Sequence, residues 1–256
     1  MEENYNVCFI IALKYYRNYQ TSITYYVDNI QKYYKNAFTI IVDNNSTYIQ
    51  DINEMFKDYK NLVIITNIGE CKFEIGAYKA GISFLITYNL INTYDYCVFT
   101  QDTFVLKNKY DFDNLRKNNT LATTLVSWAN SITSSYNHGF FVEISQKVLS
   151  SLNLQNSIHL LSLCFSNSFI LHRSKVLEFL DIVKDIVITK RVESVYSERY
   201  LSGILYHLNN RIIADIDGDM ERLEYNNQKV SIIYDNIPNH YFVKRAQQKN
   251  EDTVDL

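Results

Sequence analysis

Four short apolar runs, evenly separated by amphipathic stretches, constrain this chain more than any other feature. Val7–Leu13, Ala37–Val42, Leu62–Thr66 and Tyr96–Thr100 are almost continuously apolar and rich in β-branched and aromatic residues. A strand that is apolar at nearly every position is buried on both faces, which a sheet achieves when helices cover both sides. The stretches between them, Thr21–Lys35, Ile49–Tyr59 and Glu74–Leu90, have the periodicity of amphipathic helices. The pattern predicts an α/β fold with a mostly parallel central sheet. In such sheets ligands bind at the carboxyl ends of the strands.

Beyond Asp102 the rhythm loosens. Leu121–Trp128, Phe140–Ile144, Phe169–Leu171 and Arg211–Ile216 read as strands. Val148–Leu154, Val176–Val187 and Glu198–Leu208 read as helices, and Gln247–Leu256 as a frayed polar tail. No Pro- or Gly-rich linker and no internal repeat divides the chain. It therefore reads as a single domain over residues 1–256, with a nucleotide-type half over 1–112, a mixed half over 113–246 and the tail over 247–256.

With 47% hydrophobic and 21% charged residues among 256, disorder is excluded. A net charge of −3 gives no field for nucleic acid or an anionic membrane surface, so a polyanionic ligand must be met by a local site. Cys8, Cys71, Cys97 and Cys164 form no CxxC pair, which points away from zinc and disulfides and towards a reducing compartment. Val7–Leu13 is too short for a signal peptide or a spanning helix, so a cytoplasmic location without a transmembrane segment is expected. The chain is poor in glycine, with 6, yet Gly69, Gly76 and Gly81 fall close together. A helical glycine is unfavourable by about 1 kcal/mol against alanine, so this clustering signals close backbone approach to a ligand or to a neighbouring element. Gly81 is explained by helix–sheet packing alone. The spacing is not the dinucleotide GxGxxG.

Two strand ends carry acids. Val42-Asp43-Asn44-Asn45-Ser46 puts a carboxylate just past the second strand, where it can accept from a base imide or a ribose hydroxyl, or cap the next helix. Val98-Phe99-Thr100-Gln101-Asp102 runs an apolar strand into Asp102, which either ligates a hard divalent cation holding a diphosphate or is a solvated turn residue.

The order of these motifs resembles the GT-A-fold nucleotide-sugar glycosyltransferases, family-2-like and related to rhamnosyltransferases, over roughly residues 6–112. The resemblance implies a transferase that moves a sugar from a nucleotide diphosphate donor, expected to be a UDP-sugar, to a glycan, lipid-linked or protein acceptor with inversion. It implies that Ala12, Leu13, Lys14, Tyr15 and Asp43 hold the base and ribose. Asn67, Gly76 and Lys79 would line the nucleotide and sugar-phosphate side. Thr100-Gln101-Asp102 would occupy the Asp-X-Asp position, with Asp102 binding Mn2+ or Mg2+. Thr100 stands where that motif has its first acid, which leaves metal dependence open. The catalytic base would be Glu198, expected at the opening of a helix whose N-terminus keeps it ionised, with Glu193 in reserve. His240 is implied as a further metal ligand and Lys244 as a cation on the diphosphate.

The alternative from a different class is a non-catalytic nucleotide-sugar-binding module, favoured by Thr100 and opposed by Asp102 and Glu198. A receiver domain needs an acidic pair after the first strand, where this chain has Leu13-Lys14-Tyr15. A nucleotidyltransferase needs a Gly-rich basic loop there. No nucleic-acid partner is expected, and a homodimer is compatible with the sequence.

Overall fold

The computed structural model describes residues 5–15, 19–20, 23–125, 127–128, 146–154, 163–164, 167–214, 216, 242–244 and 248–249. The first half runs β1 (Val7–Leu13), β2 (Tyr19–Gln20), α1 (Ile23–Tyr33), β3 (Phe38–Asp43), α2 (Ile49–Phe56), β4 (Leu62–Thr66), α3 (Phe73–Thr87), β5 (Tyr96–Gln101) and β6 (Phe104–Leu106). There follow α4 (Asp113–Lys117), β7 (Ala122–Thr124), β8 (Ser127–Trp128), α5 (146–151), β9 (Leu163–Cys164), β10 (Phe169–His172), α6 (Arg173–Val183), α7 (Arg191–Leu208), β11 (Phe242–Lys244) and β12 (Gln248–Lys249).

Six strands form the central sheet in the order β4-β3-β1-β5-β10-β7. The first four are mutually parallel, and β10 lies antiparallel between β5 and β7. The fold is α/β with a largely parallel sheet, as the apolar runs predict, and is GT-A-like, as the resemblance implies. β1 is buried at all seven positions, and its alternation divides two cores. Cys8, Ile10 and Ala12 pack beneath α3, α6 and α7, whereas Val7, Phe9, Ile11 and Leu13 pack beneath α1 and α2. Each large side chain so buried contributes about 1.5–3 kcal/mol. Gly81 is explained as expected: a Cβ there would stand 2.6 Å from Ile10 Cγ2, so its absence lets α3 settle onto β1.

The second half departs from expectation in its boundaries. The run Leu121–Trp128 splits into β7, in the central sheet, and β8, which pairs with β9. α6 begins at Arg173, where His172 Nδ1 accepts from Ser174 N as the cap, and ends at Val183, short of the expected Val187. α7 begins at Arg191, seven residues before the expected start. Residues 211–214 form no strand, because Asn210 and Arg211 take φ values of 55° and 64° and turn the chain. That segment still covers the open edge of the sheet: Thr124 N donates to Ala214 O at 3.3 Å and Ile216 N to Thr124 O at 3.2 Å. The tail is not wholly frayed, since Gln248–Lys249 pairs with Tyr19–Gln20. The expected strand Phe140–Ile144 lies outside the described residues.

Candidate functional site

Parallel strands end together, so the register alone assembles the candidate edge. Leu13 pairs with Asp43, Asp43 with Thr66, and Ala12 with Gln101. From β1 the chain adds β3 and β4 on one side, then crosses to add β5 on the other. The end of β1 is therefore the switch point, where the connections diverge and leave a crevice. The ladders run on past the strands: Asn44 N donates to Leu13 O at 2.8 Å, Asn67 N to Asp43 O at 2.7 Å, and Asp102 N to Ala12 O at 2.9 Å. Asp43 and Asp102 thus flank β1 on the same edge.

The two acids sit differently. Asp43 is fully buried, accepts Ser46 N on Oδ2 at 2.8 Å, and is hydrogen-bonded through Oδ1 to the Ser46 hydroxyl. Ser46 Oγ in turn accepts Tyr15 N at 2.9 Å. Asp43 thereby caps the turn 43–46; it does not cap α2, which begins after Tyr48 with no side-chain cap. Lys14 closes the same turn from its other side, donating from Nζ to Asn44 O at 3.0 Å and Asn45 O at 2.7 Å. Asp102, also buried, stands on the other side of β1, with Lys14 N donating to its Oδ2 at 3.4 Å.

Asn67 ties the β4 end to its neighbours. Its Nδ2 donates to Asn44 Oδ1 at 3.0 Å and to Cys71 O at 2.8 Å, while its Oδ1 accepts Gly69 N at 3.2 Å. Gly76 packs directly against this turn: a Cβ there would stand 2.0 Å from Cys71 O. Lys79 is not brought to the edge, because its Nζ donates to Lys184 O at 2.7 Å and Ile186 O at 2.8 Å beyond the end of α6.

Thr100, at the first Asp-X-Asp position, is fully buried. It shares the α1 side of β5 with Val98, where the Tyr26 side chain meets it; among the described residues neither hydroxyl has a partner within hydrogen-bonding geometry. Gln101 is buried on the opposite side of the strand, with Oε1 accepting from Thr103 Oγ1 at 3.2 Å. Among the described residues no three His, Cys, Asp or Glu side chains converge as a metal cage. Asp102, itself buried, is then a single carboxylate at the strand end, a donor set that fits an ion completed by ligand oxygens and water. His240 lies outside the described residues. The Lys244 backbone pairs with Phe104, two residues beyond Asp102.

The expected helix opening at Glu198 is corrected. α7 starts at Arg191, and its first-turn acid is Glu193, which closes a capping box by accepting Lys190 N at 3.0 Å and Thr189 N at 2.8 Å. Those N–H groups, Thr189 foremost, hold the Glu193 carboxyl below the usual range. Glu198 lies half-buried in the second turn, past the reach of the helix-terminal field. α7 descends from the carboxyl edge to the amino edge, where Asn209 Oδ1 accepts Leu121 N at 2.7 Å. Two residues escape sequence reasoning. Glu74, buried in the first turn of α3, binds Arg191 at 3.0 Å and the Ser194 hydroxyl, and Asn167 is buried at the head of β10. Neither belongs to any recurrent pattern; the only signal is a polar residue next to an apolar run.

No family model matches the chain, and no curated protein matches it. Solved structures similar to it include a mannosyltransferase from S. cerevisiae in complex with GDP, 12% identical with a TM-score of 0.37, covering 78% of this chain and 62% of that one. Core-mannan synthase A from Aspergillus fumigatus, in an Mn/GDP form, is 9% identical over 82% of this chain and 70% of that one, with a TM-score of 0.38. Mouse xyloside xylosyltransferase 1, in its apo form, is 5% identical over 93% and 96%, with a TM-score of 0.40. The chain spans under two thirds of the length of the yeast structure.

Proposed function

We propose that this chain is a glycosyltransferase that takes a sugar from a nucleotide diphosphate donor, a UDP-sugar by preference, and passes it to a glycan, lipid-linked or protein acceptor with inversion. The observation that carries this reading is the edge itself. A carboxylate at Asp102 and an ammonium at Lys14 flank the switch point, with the Asn44–Asn67 pair and the Asp43–Ser46 turn forming its wall. Residues 1–112 form the donor half in this reading, and 113–246 the acceptor half.

Asp102 would hold Mn2+ or Mg2+ against the diphosphate, with His240 as a further ligand and Lys244 as a cation on the diphosphate. Such an ion, when bound, neutralises charge on the leaving diphosphate. Lys14 has three N–H donors and uses two on the Asn44–Asn45 turn, which leaves one for a phosphate oxygen. Glu198 takes the proton of the acceptor hydroxyl as that oxygen bonds to the anomeric carbon and the bond from that carbon to the diphosphate oxygen breaks. Thr100 favours a second reading, a nucleotide-sugar-binding module without catalysis, because its buried side chain supplies no acid to the edge.

Calorimetric titration of UDP and GDP, in Mn2+ and in EDTA, tests the donor site, and Asp102→Asn should lose the metal-dependent part of binding. Nucleotide at 100 times its Kd should add about 2.7 kcal/mol of stability. Absence of binding to any nucleoside diphosphate would overturn both readings. Binding of equal strength in EDTA would remove the metal and leave Lys14 and Lys244 as the counter-ions.

A further inference from the structure

The polar residues between α3, α7 and β10 are tied to one another through a single buried side chain. Asn167 is 2% exposed and holds a left-handed φ of 54°, which asparagine tolerates. Its Nδ2 donates to Ser194 O at 3.0 Å, and its Oδ1 accepts from Ser197 Oγ at 2.8 Å, so both ends of the amide are fixed on successive turns of α7. Its carbonyl accepts from Tyr78 OH at 2.9 Å, which brings in α3 one turn after Glu74. Glu74 grips the same stretch of α7 through Arg191 and Ser194.

The position matters as much as the bonds. The β10–β5 ladder runs from His172–Tyr96 to Phe169–Phe99, so Asn167, two residues before Phe169, lies just beyond the ladder at the carboxyl end of β5. The turn of α7 that Asn167 holds contains Ser197, and the next residue is Glu198. We propose that Asn167 is the positioning residue of the acceptor side: it registers the Ser197–Glu198 turn of α7 against the end of β5 and so sets where the Glu198 carboxylate stands. The inference rests on the reading of Glu198 as the base. Stability alone gives little reason for such a cluster, since buried polar and ionic groups are often replaceable by apolar ones without loss. Placement is a different matter, because a shift of about 1 Å in a reacting group can lower a rate by about 100-fold.

Asn167→Asp keeps the shape and the tolerance of left-handed backbone but turns an acceptor against Ser194 O. Ser197→Ala removes the contact from the other side without burying a charge. In both, kcat for transfer should fall by about 10- to 100-fold while UDP affinity and donor KM stay within about twofold. The acid limb of the pH–rate profile should keep its wild-type pKa, because the base itself is unchanged. Full kcat in folded Asn167→Asp and Ser197→Ala would overturn the inference, as would UDP affinity falling in step with kcat. A wild-type protein that binds UDP and transfers no sugar would instead overturn the proposed function, so the two failures are distinguishable.

Discussion

Three helical glycines give a graded test of the packing on which the edge depends. Alanine is preferred over glycine inside a helix by about 1 kcal/mol, so each Gly→Ala substitution begins with that gain. At Gly76 the new Cβ would lie 2.0 Å from Cys71 O and 2.7 Å from Asn67 Nδ2, and the nearest obstacle is backbone. The carbonyl must retreat by more than an ångström, breaking its 2.8 Å bond from Asn67. Overpacking of about 1–3 kcal/mol and a stranded buried donor of about 1–3 kcal/mol, less the helix gain of about 1 kcal/mol, leave a net loss of about 1–5 kcal/mol. At Gly81 the obstacle is Ile10 Cγ2 at 2.6 Å, a branch carbon on a fully buried strand, so a loss of about 1–2 kcal/mol is expected. At Gly203 it is Leu149 Cδ2 at 2.1 Å, a terminal methyl that can swing away, and the change should stay within about 1 kcal/mol of zero. Urea unfolding at constant m-value reads the series from shifts in the midpoint. If Gly76→Ala proves as stable as Gly203→Ala, the β4–α3 turn is not packed as described. Gly76→Ala should also weaken nucleotide binding, because Asn67 anchors Asn44.

Glu198→Gln should leave UDP affinity unchanged and slow transfer by about 10²–10⁴, measured by product formation; normal transfer would move the base role away from Glu198. Thr100→Val replaces a buried hydroxyl that lacks a partner among the described residues, so nucleotide affinity should hold within twofold and stability should rise by up to about 1 kcal/mol; a large loss of affinity would show that this side chain serves the edge. Burial, with Arg173 adding to it and Asp95 opposing it, lowers the His172 pKa. The neutral, capping form is favoured in the fold, so its stabilisation is complete above the unfolded value of about 6.5 and is lost as pH falls through the lower folded value. Between pH 8 and pH 5 the wild type should therefore lose more stability than His172→Asn, which keeps a cap that does not titrate; parallel curves would refute the capping role.

The first half of the fold was legible because its strands are buried on both faces, and that burial writes itself as unbroken apolar runs. The helices of the second half were legible only where they touch the core. Arg173-Ser174-Lys175 and Arg191-Val192-Glu193 open α6 and α7 with largely exposed residues, so the apolar periodicity that marks a helix starts a turn or two late. That delay made Glu198 look like the opening of a helix, when the Ser197 hydroxyl before it already sits inside α7, sharing its one proton between Ser194 O at 2.6 Å and Asn167 Oδ1 at 2.8 Å. Asp43 and Asp102 could be placed at one edge from the sequence, since strand ends carry position. What each carboxylate binds could not, because Ser46 and Lys14 reach them through turns whose geometry leaves no periodic trace. Asn167 was invisible for the same reason: its partners lie on α3 and α7, far away in the chain.

The interleaving of the sheet has a consequence for how the chain is made. β5 ends at Gln101, but its partner on the open side, β10, begins only at Phe169. β7 is synthesised before β10 yet reaches the sheet only through it. On the ribosome, β1, β3, β4 and β5 can assemble with α1 and α3 as soon as β5 has emerged, since all of them lie before Asp102. Until Phe169–His172 arrives, that nascent sheet carries Tyr96–Gln101 as an unpaired apolar edge, the kind of template on which chains aggregate. The intervening sequence is thus a waiting period. Mutations that delay α6 or β10 should harm yield more than native stability, and slowing translation before residue 169 should lengthen the exposure of this edge.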